Sequence, residues 1–157
     1  MRRYIGTKLI EAEPANRVDG KIQPADWPVP NDATVEEGYK VRYPDGYESW
    51  SPRDVFERAY LLLDVSSNLK SDRPSICQEM VNSFIHHWYT ETLNDTTTMV
   101  RAVLRNGFEI IETSSCVYPE NYDARIGEEI CLKNVRNKVW ELLGFLLQTA
   151  VNGVAGP

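Results

Sequence analysis

Between Phe108 and Lys138 the sequence collects the residue types that grip a nucleotide. An aromatic ring, Phe108, precedes small hydroxyls at Thr113, Ser114 and Ser115. A loop follows, Pro119-Glu120-Asn121-Tyr122-Asp123, and then the cations Arg125, Lys133, Arg136 and Lys138. Stacking on a base, bonds from hydroxyl and amide groups to ribose, and guanidinium forks on phosphate draw on this set. A plainer assignment uses the same residues. Phe108 packs in the core, Asn121 shapes a turn, and the cations form a solvated helix face.

Other chemistries find less support. His86 and His87 are adjacent, so on a strand they point to opposite faces. Neither belongs to an HExxH motif or has a cysteine at metal-ligand spacing. GxSxG, Walker and GxGxxG loops are missing from the sequence. Cys77, Cys116 and Cys131 are odd in number and form no CxxC pair, which speaks against disulfides and zinc. Glu57, Glu128, Glu129 and Glu141 fall at solvated helix positions, and no carboxylate pair stands out. The expectation is a protein without metal, cofactor or catalytic set.

Charge narrows the partners. The 157 residues carry a net charge of -6, which disfavours duplex nucleic acid. A few converging arginines would still suffice for a small anion. No apolar run reaches the length of a membrane span. The opening residues, MRRYIGTKLIEAEP, hold no apolar signal region, so the expected location is the cytoplasm.

These residues need a scaffold, and the patterning predicts an α+β chain in two modules. The first, residues 1–62, is small and β-rich with one helix. A strand is expected over Tyr4–Glu11, then a loop from Glu13 to Pro30 broken by Pro14, Pro24, Pro28 and Pro30. Tyr39–Tyr43 and Tyr47–Trp50 alternate as strands around a Pro44-Asp45-Gly46 turn. Ser51 is the expected N-cap of a helix with Pro52 at its first position and Asp54 completing the cap. That helix is expected to bury Val55, Phe56, Ala59 and Tyr60.

A polar connector, Asp64–Arg73, leads to the second module, residues 74–150. Ile76, Met80, Val81 and Phe84 recur at helical spacing. A three-stranded antiparallel meander follows: His87–Thr92, Thr96–Arg105 and Phe108–Val117. Val100, Ala102 and Leu104 share one face of its middle strand. Asn94-Asp95 makes one turn, and Asn106-Gly107 predicts a type I′ turn at the other. Asp123 caps a long helix, Ala124–Gln148, with an apolar stripe of Ile126, Ile130, Val135, Val139, Leu142, Leu143 and Leu146. The tail from Asn152 is expected to be disordered.

The stretch Asn106-Gly107-Phe108 through Ser115-Cys116-Val117 resembles a phage pattern, NGFxVxGxSxCV. It continues through Pro119-Glu120-Asn121-Tyr122-Asp123, Ile126-Gly127, Asn137–Leu142 and Gly144–Leu147. This order is similar to the small-protein family named after phages N4 and Sf6. It also looks like the family of the first Thoeris anti-defence protein, a sponge for cyclic ADP-ribose signals. The resemblance covers residues 74–148. Glu112-Thr113 departs from it where glycine is common, and Leu143 replaces a usual glutamate. Tyr4–Lys8 with Gly38-Tyr39 and Tyr43–Pro52 resembles an accessory module of many phage proteins.

The resemblance implies sequestration without catalysis. A homo-oligomer would hold glycocyclic ADP-ribose, or cyclic oligonucleotides of CBASS systems, in a pocket shared between subunits. Phe108 would stack a base, and Ser115 and Asn121 would bond ribose or purine edges, with Phe108 and Asn121 at positions of the resembled motif; by their local chemistry alone, Arg125, Lys133, Arg136 or Lys138 would neutralise phosphates. The alternative is a protein-binding module that directly inhibits a host protein, for which acidic mimicry of nucleic acid would suit the charge.

Overall fold

A computed structural model describes residues 1–3, 5–63 and 73–155. Tyr4, most of the expected polar connector (64–72) and the last two residues lie outside the described residues. Contacts along the backbone group the chain into two units. One is Met1–Leu62 with Thr149–Pro157, and the other is Leu63–Gln148.

The first unit is a four-stranded antiparallel sheet with one short helix. Its strands are β1 (Glu11–Val18), β2 (Lys21–Pro24), β3 (Val35–Arg42) and β4 (Glu48–Pro52), ordered β2-β1-β3-β4. The hairpin β1–β2 falls inside the stretch expected to be a loop. Asp19 and Gly20 both take positive φ, 46° and 82°, as a type I′ turn requires. The prolines do not break it because they sit where pairing ends. The β1–β2 ladder stops at Ala15↔Pro24, just short of Pro14. The strand expected over Tyr4–Glu11 is also corrected. Among the described residues, regular structure begins at Glu11, the residue paired to the last residue of β3, Arg42. Beyond Arg42 the chain enters the turn to β4, and no described strand pairs with the residues before Glu11.

That turn has the expected glycine. Gly46 takes φ 84°, its N–H donates to Tyr43 O at 2.9 Å, and Tyr43 N–H donates to Tyr47 O at 2.9 Å. Gly38 matters for a different reason. The ring of Trp50 lies so close that a Cβ here would come within 2.6 Å of it. Trp50 Nε1 donates to Ala15 O at 3.0 Å, and the Arg17 guanidinium sits 4.3 Å above the ring.

The helix α1 (Arg53–Ala59) buries none of its residues. Val55 and Ala59 are exposed, contrary to expectation, and Phe56 and Tyr60 are half-buried. The helix meets β3 through Phe56, stacked on Tyr39 at 4.1 Å, through Glu57, which accepts from Tyr39 Oη at 3.0 Å, and through the Arg53–Glu37 ion pair. Ser51 does not cap it, because Ser51 is engaged in β4 opposite Tyr39.

The second unit follows the expected order. Helix α2 (Gln78–Phe84) leads into β5 (Ile85–Asn94), β6 (Thr97–Leu104) and β7 (Glu109–Ser115), a meander ordered β5-β6-β7. A single 3-10 turn, Pro119–Asn121, precedes α3 (Ala124–Asn152). The middle strand alternates strictly, with Thr98, Val100, Ala102 and Leu104 buried. The β6–β7 turn is not type I′. Of Asn106 and Gly107, only Gly107 takes positive φ, 83°. Gly107 N–H donates to Leu104 O, and Leu104 N–H to Phe108 O, both at 2.8 Å. This is a type I turn closed by a left-handed glycine, the usual three-residue loop. A bulge at the start of β5 brings the His86 and His87 rings within 4.9 Å, so they do not take opposite faces.

Along α3 the buried stripe is Gly127, Cys131, Leu132, Val135, Val139 and Leu143. Ile126, Ile130, Leu142 and Leu146, expected in the stripe, are exposed. The helix has more apolar residues than one face can hold, and its smallest residues decide which side packs. Gly127 lies against buried Thr98, where a Cβ would come within 2.6 Å of Thr98 Cβ. The helix also outruns its expected end. It stops where Gly153 takes φ 74° and donates to Thr149 O at 2.8 Å, a left-handed C-terminal stop.

Candidate functional site

The corner where β7 runs into α3 carries three of the expected ligand-binding residues. Ser115 ends β7, and its hydroxyl meets Thr97 Oγ1 at 2.9 Å. Asn121 closes the 3-10 turn, with its N–H donating to Tyr118 O at 3.0 Å, and its side chain is exposed. Asp123 caps α3 as expected, accepting the Arg125 N–H at 2.8 Å. The Arg125 side chain folds back onto the same carboxylate at 3.1 Å while remaining almost wholly exposed. Hydrogen bonds and charge from Arg125 hold the Asp123 carboxyl below its ordinary range, and the same pairing raises the arginine.

A clamp that the residue types did not announce fixes this corner. Tyr122 directs its hydroxyl between two threonines, 2.8 Å from Thr92 and 2.9 Å from the fully buried Thr98. Thr98 also meets Gly127, so one residue of β6 positions both the loop and the first turn of α3. The sequence offered one signal: alternation along β6 assigns Thr98 to the buried face, where a hydroxyl needs a partner.

The remaining expected residues stand elsewhere. Phe108 is 55% exposed at the other end of β7, so it does not pack in the core of the chain. Seven positions separate it from Ser115. At a rise of roughly 3.3 Å per residue, the two stand about 23 Å apart along the strand. Lys133 and Arg136 lie one turn apart on α3, where residues three apart are neighbours. Lys133 is exposed, Arg136 is half-buried, and neither has an ion-pair partner among the described residues. Lys138 points to a different side of the helix, about 200° around from Arg136. It is ion-paired to Glu112, whose side chain retains only 13% exposure. That contact is a charge pair without hydrogen-bond alignment. The chain therefore sets Asn121 and Arg125 together at the start of α3, puts Ser115 with Thr97 on the open face of the sheet, away from α3, sets Lys133 beside Arg136, engages Lys138, and leaves Phe108 at the far tip.

The open face of the meander adds residues that the sequence left unassigned. Tyr89, Arg101 and Ile111 lie in one row across the three strands. The Arg101 guanidinium is 4.9 Å from the Tyr89 ring centre and 3.2 Å from Glu109. An aromatic ring beside a guanidinium can accept a base or a phosphate. Counting back from an Asn94-Asp95 turn would have set Tyr89 opposite Val100; the turn that forms pairs Asn94 with Thr97, and a register shift between Thr92 and Asn94 then sets Tyr89 opposite Arg101. Glu128 occupies the other side of β5, accepting from Thr90 at 2.7 Å and from the Trp88 indole at 3.4 Å.

Cys131 is fully buried, and its thiol lies 3.8 Å from Thr98 O. Burial, and next the charge of Glu112, push this thiol upward, which disfavours a nucleophilic thiolate. Among the described residues, no group of three or more His, Cys, Asp or Glu is arranged to hold a metal ion. None of the described helices is long and apolar enough to cross a membrane.

Residues 76–151 match the model of the phage protein (N4 Gp49/phage Sf6 gene 66) family. That stretch, just under half of the chain, is similar to a phage protein family and contains every expected ligand-binding residue. No curated protein and no solved structure matches the chain.

Proposed function

We propose that the protein binds a cyclic nucleotide immune signal in the infected bacterial cytosol and holds it without cleavage. Glycocyclic ADP-ribose is the first ligand class, and CBASS cyclic oligonucleotides are the second. The observation that carries this proposal is the exposed ring of Phe108, inside the phage-family stretch. An aromatic side chain left half open to solvent beside a tight turn has ring surface available to stack on a base. Lys133 and Arg136, without ion-pair partners among the described residues, are available to a phosphate.

The separation of Phe108 from Ser115, Asn121 and Arg125 gives the proposal a structural consequence. One small cyclic ligand cannot touch both ends of β7, so the pocket is shared between subunits. The exposed apolar residues of α3 (Ile126, Ile130, Leu142 and Leu146) suit such self-association.

Calorimetric titration of the protein and of Phe108→Ala with glycocyclic ADP-ribose and with cyclic di- and trinucleotides tests this. Tight binding by the parent chain, lost in the variant while its melting curve stays in place, is expected. Unchanged affinity in Phe108→Ala would remove stacking by that ring. Absence of heat with every ligand would leave direct inhibition of a host protein as the better account.

A further inference from the structure

A groove in the first unit has a chemistry of its own. It encloses about 550 Å³ and is floored by Pro14, Ala15, Ile22 and Pro24. Three carboxylates, Glu13, Asp26 and Glu48, and one ammonium, Lys40, line it. Lys40 is already paired to Glu48 at 3.0 Å, and Glu48 also accepts from Arg42 at 3.0 Å. Those two hydrogen bonds, Lys40's first, hold the Glu48 carboxyl below its ordinary range. Glu13 and Asp26 have no ion-pair partner among the described residues. The lining thus carries two more negative than positive charges above an apolar floor, with Lys40 directly across from Glu13 in the strand register.

The groove runs beside an incomplete strand. All of β1, from Glu11 to Val18, pairs with β3. On its other side β1 pairs with β2 only from Ala15 to Val18. Residues Glu11 to Pro14 therefore have one edge with no strand beside it among the described residues. An extended peptide laid there would continue the line of β2 and take backbone hydrogen bonds from β1, as in strand addition. Pro14 contributes no donor and limits the new pairing to the Glu11–Glu13 end. Glu11 adds charge to this end, its nearest cation being Arg42 at 3.7 Å.

We propose that this edge and groove form a docking site for an extended basic peptide segment of a partner protein. Backbone pairing to Glu11–Glu13 supplies the affinity. Lysine or arginine side chains reach Glu13 and Asp26, and alternate apolar side chains rest on Ala15, Ile22 and Pro24. Charge selects the partner. Acidic side chains at an open edge repel acidic strands, and they admit a segment of opposite sign. The proposal is independent of nucleotide binding by the second unit.

The test uses the whole chain, isotope-labelled, titrated by NMR with the blocked peptide Lys-Val-Lys-Val-Lys-Val and with its Glu-Val-Glu-Val-Glu-Val counterpart. The basic peptide is expected to shift the amides of Glu11–Ala15 and Ile22–Asp26 and to slow hydrogen exchange at the β1 edge. The acidic peptide is expected to do neither. The exposed pair of changes Glu13→Gln and Asp26→Asn should raise the dissociation constant about tenfold or more while leaving the spectrum otherwise folded. No shift with the basic peptide, shifts mapping elsewhere, or binding indifferent to the two carboxylates would overturn the proposal. So would the same shifts appearing on raising the protein concentration alone. The occupant would then be the basic N-terminal segment of a second copy.

Discussion

Changing Tyr122 to phenylalanine removes one oxygen atom, and the structure says which neighbour suffers. Thr92 is exposed and can turn to water. Thr98 is fully buried, and its hydroxyl is left without the 2.9 Å partner it has in the parent chain. A buried hydroxyl stripped of its partner costs about 1–3 kcal/mol. Thr98→Val removes the buried hydroxyl itself, while Tyr122 keeps Thr92 at 2.8 Å. That change should cost about 1 kcal/mol or less, because no polar group is stranded. The double variant should cost close to Thr98→Val alone, giving a coupling as large as the Tyr122→Phe cost itself, about 1–3 kcal/mol, between the two sites. Urea unfolding followed through the methyl signals of Val100 and Val139, both fully buried, isolates this unit from the other. Thr98→Val costing more than Tyr122→Phe, or simple additivity, would refute the clamp. The result bears on function, because the clamp sets the loop that carries Asn121 and Arg125.

Other consequences are equally concrete. Lys138→Met leaves nearly buried Glu112 without its counter-charge and should destabilise by about 1–2 kcal/mol, the half-exposed lysine moderating the loss. Arg136→Met should stay within about 0.5 kcal/mol in the same urea assay yet weaken nucleotide binding more than Lys138→Met does. Iodoacetamide at mildly alkaline pH should label half-exposed Cys116 in the native protein and spare Cys131, both reacting in urea, as peptide mass spectrometry would show. Asp123 should titrate by NMR below its ordinary value. Its folded form is the more acidic, so its contribution to stability is complete above the unfolded value and disappears as pH falls through the folded one.

Much of the second unit was legible because its signals are local. Alternation in β6, the Asn106-Gly107 turn and the Asp123 cap each act within a few residues. The β1–β2 hairpin was not legible, because Pro14 and Pro24 read as breakers until the register shows that pairing stops between them. The packed side of α3 was half legible. Val135, Val139 and Leu143 are apolar and buried, but Gly127 and Cys131 set the face through their small size against Thr98. For the candidate site, residue types could be read, but convergence could not. Asn121 and Arg125 adjoin because a turn runs directly into a helix start, whereas Ser115, close in sequence, takes the open sheet face with Thr97. Lys138 turns to Glu112, a residue where the resembled pattern usually has glycine.

Sequestration without cleavage is tested most directly by recovery of the ligand. The protein is saturated with glycocyclic ADP-ribose or a cyclic oligonucleotide, freed of excess, denatured by heat, and the released compound identified by chromatography and mass. Release of the intact ligand in a fixed ratio to protein is the predicted result. Recovery of a cleaved product, or of nothing from any of these ligands, would contradict it.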